Sequence, residues 1–183
     1  FRYTAAATAA SELLQAQRLG HVLTGEVVFG ARVDMRQRWN ARRTVAGGGV
    51  LMDNGSHAAD LVRCLLGPIA QVAATCLPTD APHEVETTAT VQFATTSGVL
   101  VHVLLTWSFA PEVPYYLRLC GVDGTLELGW QQARWKRHDG AWQPLAAGYD
   151  KVGAFRAQLE DSASACRGHA PRLDLHDALA AVQ

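Results

Sequence analysis

The chain has 183 residues, a formal net charge of −1, 49% apolar residues and 18% charged residues. That length suits one domain with a core of its own, and the composition excludes a disordered chain. Basic and acidic residues are scattered, so there is neither a nucleic-acid footprint nor a polybasic arm for a membrane, and no apolar run approaches the ~20 residues of a membrane helix.

From Thr4 to Leu19 the chain is Ala-rich and Gly20 follows, which predicts a helix with a glycine stop. The start, FRYTAAATAASELL, has no Met and lacks the charged-then-apolar order of a signal peptide, so the chain reads as an excised piece. HVLTGEVVFGARVDM alternates and is rich in Val, as a strand is. RQRWNARRTVAGGG reads as a basic loop ending in glycines, and GGGVLMDNGSHAADLVRCLLG as a helix closed by Gly67 and Pro68.

After Pro68 come six short β-branched or aromatic segments: IAQVAATCL, EVETTATVQFAT, GVLVHVLLTWSF, YYLRLCGV, TLELGW and ARWKRH. Turn residues such as PTDAPH, TSG and DG separate them, and gaps of hairpin length imply an antiparallel meander. VGAFRAQLEDSASACRG is helical again, and LDLHDALAAVQ begins one more helix. The order predicts one α+β domain over residues 1–183: an open, mostly antiparallel sheet of about six strands, with helices packed on one face. Cys64, Cys76, Cys120 and Cys166 are far apart, a spacing that fits reduced cytoplasmic thiols better than a zinc site or a disulfide framework.

The segment 98–109 is apolar on both faces. Val99, Val101, Val103 and Leu105 alternate with Leu100, His102, Leu104 and Thr106. A strand covered on one side only should be polar on the other, so the second face is expected to lie under helices or another subunit. The helices flanking the sheet can cover one face. A two-fold homodimer, sheet to sheet, is the expectation for the other.

At about 100° per residue, Leu51, Ala58, Val62 and Leu65 form the apolar stripe of the glycine-led helix, and Asp53, His57 and Asp60 share an arc to its side. Three readings stand: a solvated face, a proton-transfer pair in which an acid serves an imidazole one turn away, and a metal pair, for which no third His or Cys lies nearby in sequence. Three glycines at the helix start would let a ligand approach the backbone. Arg38, Trp39, Arg42 and Arg43 precede them, as contacts for a polar substrate or as a solvated loop. Tyr115 and Tyr116 fall on a strand, where an aromatic is a core residue before it is a substrate contact.

GGGVLMDNGSHAADLVRCLLG resembles the G-G-G-x-L-x-D-x-G-x-H-x-x-D segment of the Gfo/Idh/MocA oxidoreductases, named for glucose-fructose oxidoreductase and inositol dehydrogenase. FRYTAAATAASELLQAQRLGHVLTGEVVFGAR, VETTATVQFATTSGVLVHVLLTWS, LRLCGVDGTLEL and the closing helices resemble further family segments in the same order, over essentially the whole chain. The resemblance implies the C-terminal substrate-binding and oligomerising domain of an NAD- or NADP-dependent oxidoreductase acting on a sugar or polyol. The N-terminal Rossmann domain, with its G-x-G-x-x-G and its E-K-P lysine, is not in this sequence, so the chain alone is expected to be inactive. It implies His57 as the acid/base, Asp53 near substrate and nicotinamide, and Asp60 as a structural partner. Gly48 and Gly49 would lie against the cofactor, and Arg38 and Trp39 beside the substrate. Asn54 and Ser162 depart from the family pattern, and the acid expected before the second strand pair is Glu84 or Glu86. The alternatives are a non-catalytic binding or assembly module, and a metal-dependent lyase or hydrolase built on Asp53 and His57.

Overall fold

The computed structural model describes residues 1–77 and 84–182. The turn read at PTDAPH lies outside them. Helix α1 (Ala5–Gln15) starts where the Thr4 hydroxyl accepts from the Ala7 amide at 3.1 Å, a serviceable N-cap. Its buried residues are small, Ala6, Ala7 and Ala10 with Leu13, so the helix lies close to what it covers. Strand β1 (Val22–Gly30) follows, then a 3-10 turn (Trp39–Ala41), a short helix α2 (Arg43–Ala46) and the glycine-led helix α3 (Val50–Leu66). The loop read as irregular thus contains two helical turns.

Seven strands follow: β2 (Ile69–Cys76), β3 (Thr88–Thr95), β4 (Leu100–Thr106), β5 (Leu117–Gly121), β6 (Gly124–Leu128), β7 (Gln132–Arg137) and β8 (Gln143–Ala147). With β1 they make one sheet of eight in the order β2-β3-β4-β1-β5-β6-β7-β8. The first strand in sequence sits in the middle, parallel to β4 and antiparallel to β5, and the other neighbours are antiparallel. Each strand read from the sequence is present. The further one is β8, whose Pro144 hides it from pattern reading; at the sheet edge, beside an irregular register with β7, a proline is tolerated.

The core lies between the sheet and helices α1 and α3. Val101, Val103 and Leu105 of β4 are buried there with Val27 of β1, Leu117 and Leu119 of β5, and Ala58, Leu61 and Val62 of α3. Helix α4 (Lys151–Cys166), expected to help cover this face, buries no residue at all; its inward side is made of Gly153, Ala154 and Ala157, too small to reach a core. Helix α5 (Leu175–Val182) packs on α3. No helix among the described residues is long and apolar enough to cross a membrane.

Among the described residues no helix covers the second face of the sheet. Leu100 is 55% exposed there and His102 is also exposed. Thr106, on the same face at the strand end, is buried and shares a 2.8 Å hydrogen bond with its cross-strand neighbour Thr88. Beside Leu100 and His102 runs a chain of charges. The Tyr115 hydroxyl donates to Glu26 at 2.7 Å. Arg118 stacks over the Tyr115 ring and donates to Glu127 at 2.6 Å, and Arg134 donates to the other oxygen of Glu127 at 2.8 Å. Glu127 is 2% exposed, and two arginines supply the compensation that a buried carboxylate requires.

Three tyrosines make the fold alkali-sensitive. Burial, then the hydrogen bond to Asp161, pushes Tyr3 up to about 12. Burial, then the hydrogen bond to Glu26, does the same for Tyr115, and burial raises Tyr116 to about 12. The unfolded chain loses these protons near pH 10, whereas the folded chain keeps them until about pH 12. Between those values the unfolded state binds fewer protons, so stability is intact below pH 10 and drains away as pH rises through this window. Thermal melts across it should show a progressive fall, smaller in Tyr116→Phe; a flat profile would contradict the burial of these phenols.

Candidate functional site

The site is built on the first turns of α3. Gly47 ends α2 with a left-handed φ of 77°. Next to Gly49 there is no room for a side chain, because an added Cβ would overlap the Glu86 carbonyl oxygen. Glu86 holds the helix start from both of its ends. Its carboxylate Oε1 accepts from the amides of Gly49 at 2.9 Å and Leu51 at 3.1 Å, and its carbonyl accepts from Val50 at 2.9 Å. A carboxylate at this end satisfies amides without intrahelical partners and suits the helix dipole. Gly49 thus owes its absence of a side chain to the chain's own Glu86. Open surface is found at Gly47, where an added Cβ would meet nothing within 4 Å; at the half-exposed Gly48 it would press on Met52 Cβ at 3.2 Å and meet a Glu86 oxygen at 3.9 Å.

The polar arc of α3 divides in two. Asp60 turns inward, and Arg2 Nε donates to it at 2.7 Å while Arg2 Nη1 lies 3.6 Å from Asp177 of α5. This clamp ties the N-terminal segment to α3 and α5, a structural part for Asp60. Asp53 and His57 face solvent one turn apart. The Asn40 side-chain amide donates to Asp53 Oδ2 at 3.3 Å, which brings the Arg38–Trp39 turn beside the carboxylate. Arg38 and Trp39 are both exposed. Arg43 is engaged elsewhere: its amide donates to the Glu84 carboxylate at 3.0 Å and its Nε to the Glu84 carbonyl at 3.3 Å.

His57 stands against an aromatic floor. The Phe1 ring meets the imidazole edge-on at 5.9 Å between centroids, and packs in turn on Phe29 at 4.8 Å, Tyr149 at 4.9 Å and Tyr116 at 5.3 Å. One side of the imidazole is thereby shielded and the other is free. Tyr116 is part of this buried floor and Tyr115 lies in the charged chain of the open sheet face, so neither faces His57 as a substrate contact. Among the described residues no three His, Cys, Asp or Glu side chains gather as a group that could hold a metal ion. Sequence reasoning missed Asn40, Phe1 and the helix-capping part of Glu86. Each works across a large sequence separation, and only the acid at 86 left a trace in the pattern.

The family model described as the GFO/IDH/MocA C-terminal domain matches residues 7–127. The chain belongs to the GFO/IDH/MocA family. Among solved structures, 99% of this GFO/IDH/MocA chain aligns with 56% of the aldose-aldose oxidoreductase from Caulobacter crescentus, complexed with glycerol, at 26% identity and a TM-score of 0.84. Levoglucosan dehydrogenase in complex with NADH and levoglucosan aligns over 98% of this chain and 59% of its own, at 16% identity and a TM-score of 0.84. The WlbA dehydrogenase from Bordetella pertussis, in complex with NADH and UDP-GlcNAcA, aligns over 99% of this chain and 55% of its own, at 18% identity and a TM-score of 0.75. This chain therefore spans little more than half the length of these relatives. A comparison with curated proteins finds no match.

Proposed function

We propose that this chain is the C-terminal, substrate-binding and oligomerising domain of an NAD- or NADP-dependent oxidoreductase that acts on a hydroxyl group of a sugar or polyol. The observation that carries the reading is the solvent-facing Asp53–His57 pair on a glycine-led helix, in a chain that belongs to this family. The relatives complexed with glycerol, levoglucosan and UDP-GlcNAcA supply the substrate class, and those complexed with NADH supply the cofactor class. When bound, a nicotinamide supplies the acceptor for the hydride that leaves the carbinol carbon.

The chain's own residues do the rest. A ring nitrogen of His57 takes the hydroxyl proton as the carbinol becomes a carbonyl, and returns it in the reverse direction. Imidazole is the side chain suited to that exchange near neutral pH. Asp53, steadied by Asn40, accepts a hydrogen bond from a neighbouring hydroxyl. Arg38 and Trp39 edge the substrate. The open surface at Gly47 and the missing side chain of Gly48 let the cofactor lie close to the helix start, and Gly49 serves by keeping that turn seated on Glu86.

The whole protein should reduce NAD or NADP with at least one aldose or polyol, followed by nicotinamide absorbance. Failure of both cofactors across a broad hydroxyl panel would overturn the reading. The 183-residue chain by itself should neither bind a nicotinamide cofactor at micromolar concentration in calorimetry nor turn over any polyol, since no dinucleotide fingerprint is present.

The same reading makes the helix-free sheet face the contact between two copies. Light scattering should give a two-chain mass. Leu100→Lys, which replaces an exposed apolar side chain of that face with a charge, should weaken the pair at least about tenfold, equivalent to ~1.4 kcal/mol. A wild-type protein that is monomeric at micromolar concentration would refute the pairing.

A further inference from the structure

The rings that floor His57 form a cluster with one aromatic member turned to solvent. Phe29 and Tyr116 are buried and Phe1 and Tyr149 half-buried, whereas Trp130 is 46% exposed. Its indole packs on Tyr116 at 5.0 Å between centroids, edge-on to Tyr149 at 5.5 Å and edge-on to Phe1 at 6.2 Å. Phe1 also meets the imidazole at 5.9 Å, so a single ring touches both His57 and Trp130. Trp130 comes from the bend between β6 and β7, far from α3 in sequence.

A partly exposed tryptophan is ordinary by itself, because so large a side chain is seldom buried outright. The backbone around this one is firmly held. The Tyr149 amide donates to the Trp130 carbonyl at 3.1 Å, the Gly148 amide to the Gln131 carbonyl at 3.0 Å, and the Gly129 amide to the Gln132 carbonyl at 2.9 Å. Glycines stand at both close approaches: an added Cβ at Gly129 would overlap the Pro114 carbonyl oxygen, and one at Gly148 would overlap the Trp130 carbonyl oxygen. With this backbone fixed and three rings packed against it, the indole presents its exposed part in one orientation. Apolar surface left in water gains about 25 cal/mol per Å² when it is covered, and a surface ordered in advance loses little entropy when a ligand covers it.

The neighbours decide what chemistry the cover must have. A sugar ring carries hydroxyls around its rim and C–H groups on its faces. His57 and Asp53 serve the rim. A face needs a flat apolar partner, and the negative π-face of an indole suits the slightly positive C–H groups. An open-chain polyol such as glycerol has no flat face to offer. We infer that Trp130 is the platform on which the C–H face of a substrate ring stacks while a hydroxyl of that ring reaches His57, so that the site prefers cyclic sugars to acyclic polyols. This rests on the functional reading above and narrows its substrate class.

The experiment uses the whole protein with D-glucose and D-xylose as cyclic probes and glycerol as the acyclic one. Trp130→Leu keeps apolar bulk against Tyr116 and Tyr149 but loses the flat face. It should raise KM for the cyclic probes at least about tenfold. The same variant should leave kcat within about threefold, as loss of uniform binding does, and KM for glycerol within about twofold. Trp130→Phe, which restores a flat ring, should recover most of the loss. Saturation-transfer NMR gives a readout apart from turnover: ring C–H protons of the cyclic probes should receive magnetisation from the wild type and from Trp130→Phe, and much less from Trp130→Leu. KM values that rise equally for glycerol and the sugars, or for neither, in an enzyme that still reduces nicotinamide would overturn the platform and leave the functional reading standing. A lowered affinity for nicotinamide with sugar KM unchanged would turn the indole toward the cofactor and overturn the platform as well. Sugar contact that depends on Trp130 in a protein that oxidises no hydroxyl compound would remove the functional reading and leave the platform. Absence of sugar contact in the wild type would overturn it.

Discussion

His57→Ala in the whole enzyme should lower turnover by roughly two to four orders of magnitude, the usual worth of a positioned general acid/base. The loss should fall on kcat more than on KM, because the proton moves in the chemical step rather than in binding. The fold should survive. His57 is solvent-facing, its ring meets the edge of Phe1, and the apolar stripe of α3 lies to its side. An unchanged melting temperature with collapsed turnover is therefore the expected pair of results. Turnover within a few-fold of wild type would show that another group carries the proton, and would return the Asp53–His57 arc to the status of a solvated face.

The sheet and the site were not equally legible in the sequence. Alternation in Leu100–Thr106 and the turn residues between short apolar segments were enough to read strands, because a strand's period of two is a local property. The central place of β1, parallel to β4, could not be read that way, since it depends on a pairing across some 76 residues, as between Thr24 and Leu100. The same distinction runs through the site. Asp53 and His57 are found from spacing on one helix. Asn40, Phe1 and Arg2 come from other segments, and nothing in their neighbours announces Asp53, His57 and Asp60 as their partners. The three side chains share one arc by spacing alone, and Arg2 divides it by drawing Asp60 into a clamp while Asp53, held by Asn40, and His57, against Phe1, stay solvent-facing. Helix α4 covers none of the sheet because its inward residues are small and its large residues face out, a pattern that reads the same from either side until the packing is known.

Gly49→Ala should be the most damaging small substitution in the helix-forming loop. A ligand-binding glycine and a packing glycine look alike in sequence, and the two readings make different forecasts. If Gly49 only kept space for a ligand, a methyl group would weaken binding and leave stability alone. In the structure the space belongs to the Glu86 backbone, and that backbone cannot give way cheaply. Its carbonyl accepts from Val50, and its side-chain carboxylate accepts from Gly49 and Leu51, so moving it breaks the contacts that start α3. The expected cost is at the upper end of the about 1–3 kcal/mol typical of overpacking. In a chain of this length that corresponds to a melting temperature lower by about 5–10 °C. Turnover should fall as well, because the displaced turn lies directly before Asp53. Gly48→Ala, which would press on Met52 Cβ at 3.2 Å but on no backbone atom, should cost less than Gly49→Ala. Glu86→Gln, which keeps an acceptor at the helix start, should cost less than Gly49→Ala. If Gly49→Ala instead melts with wild type and loses only cofactor affinity, the contact with Glu86 is not what demands a glycine there.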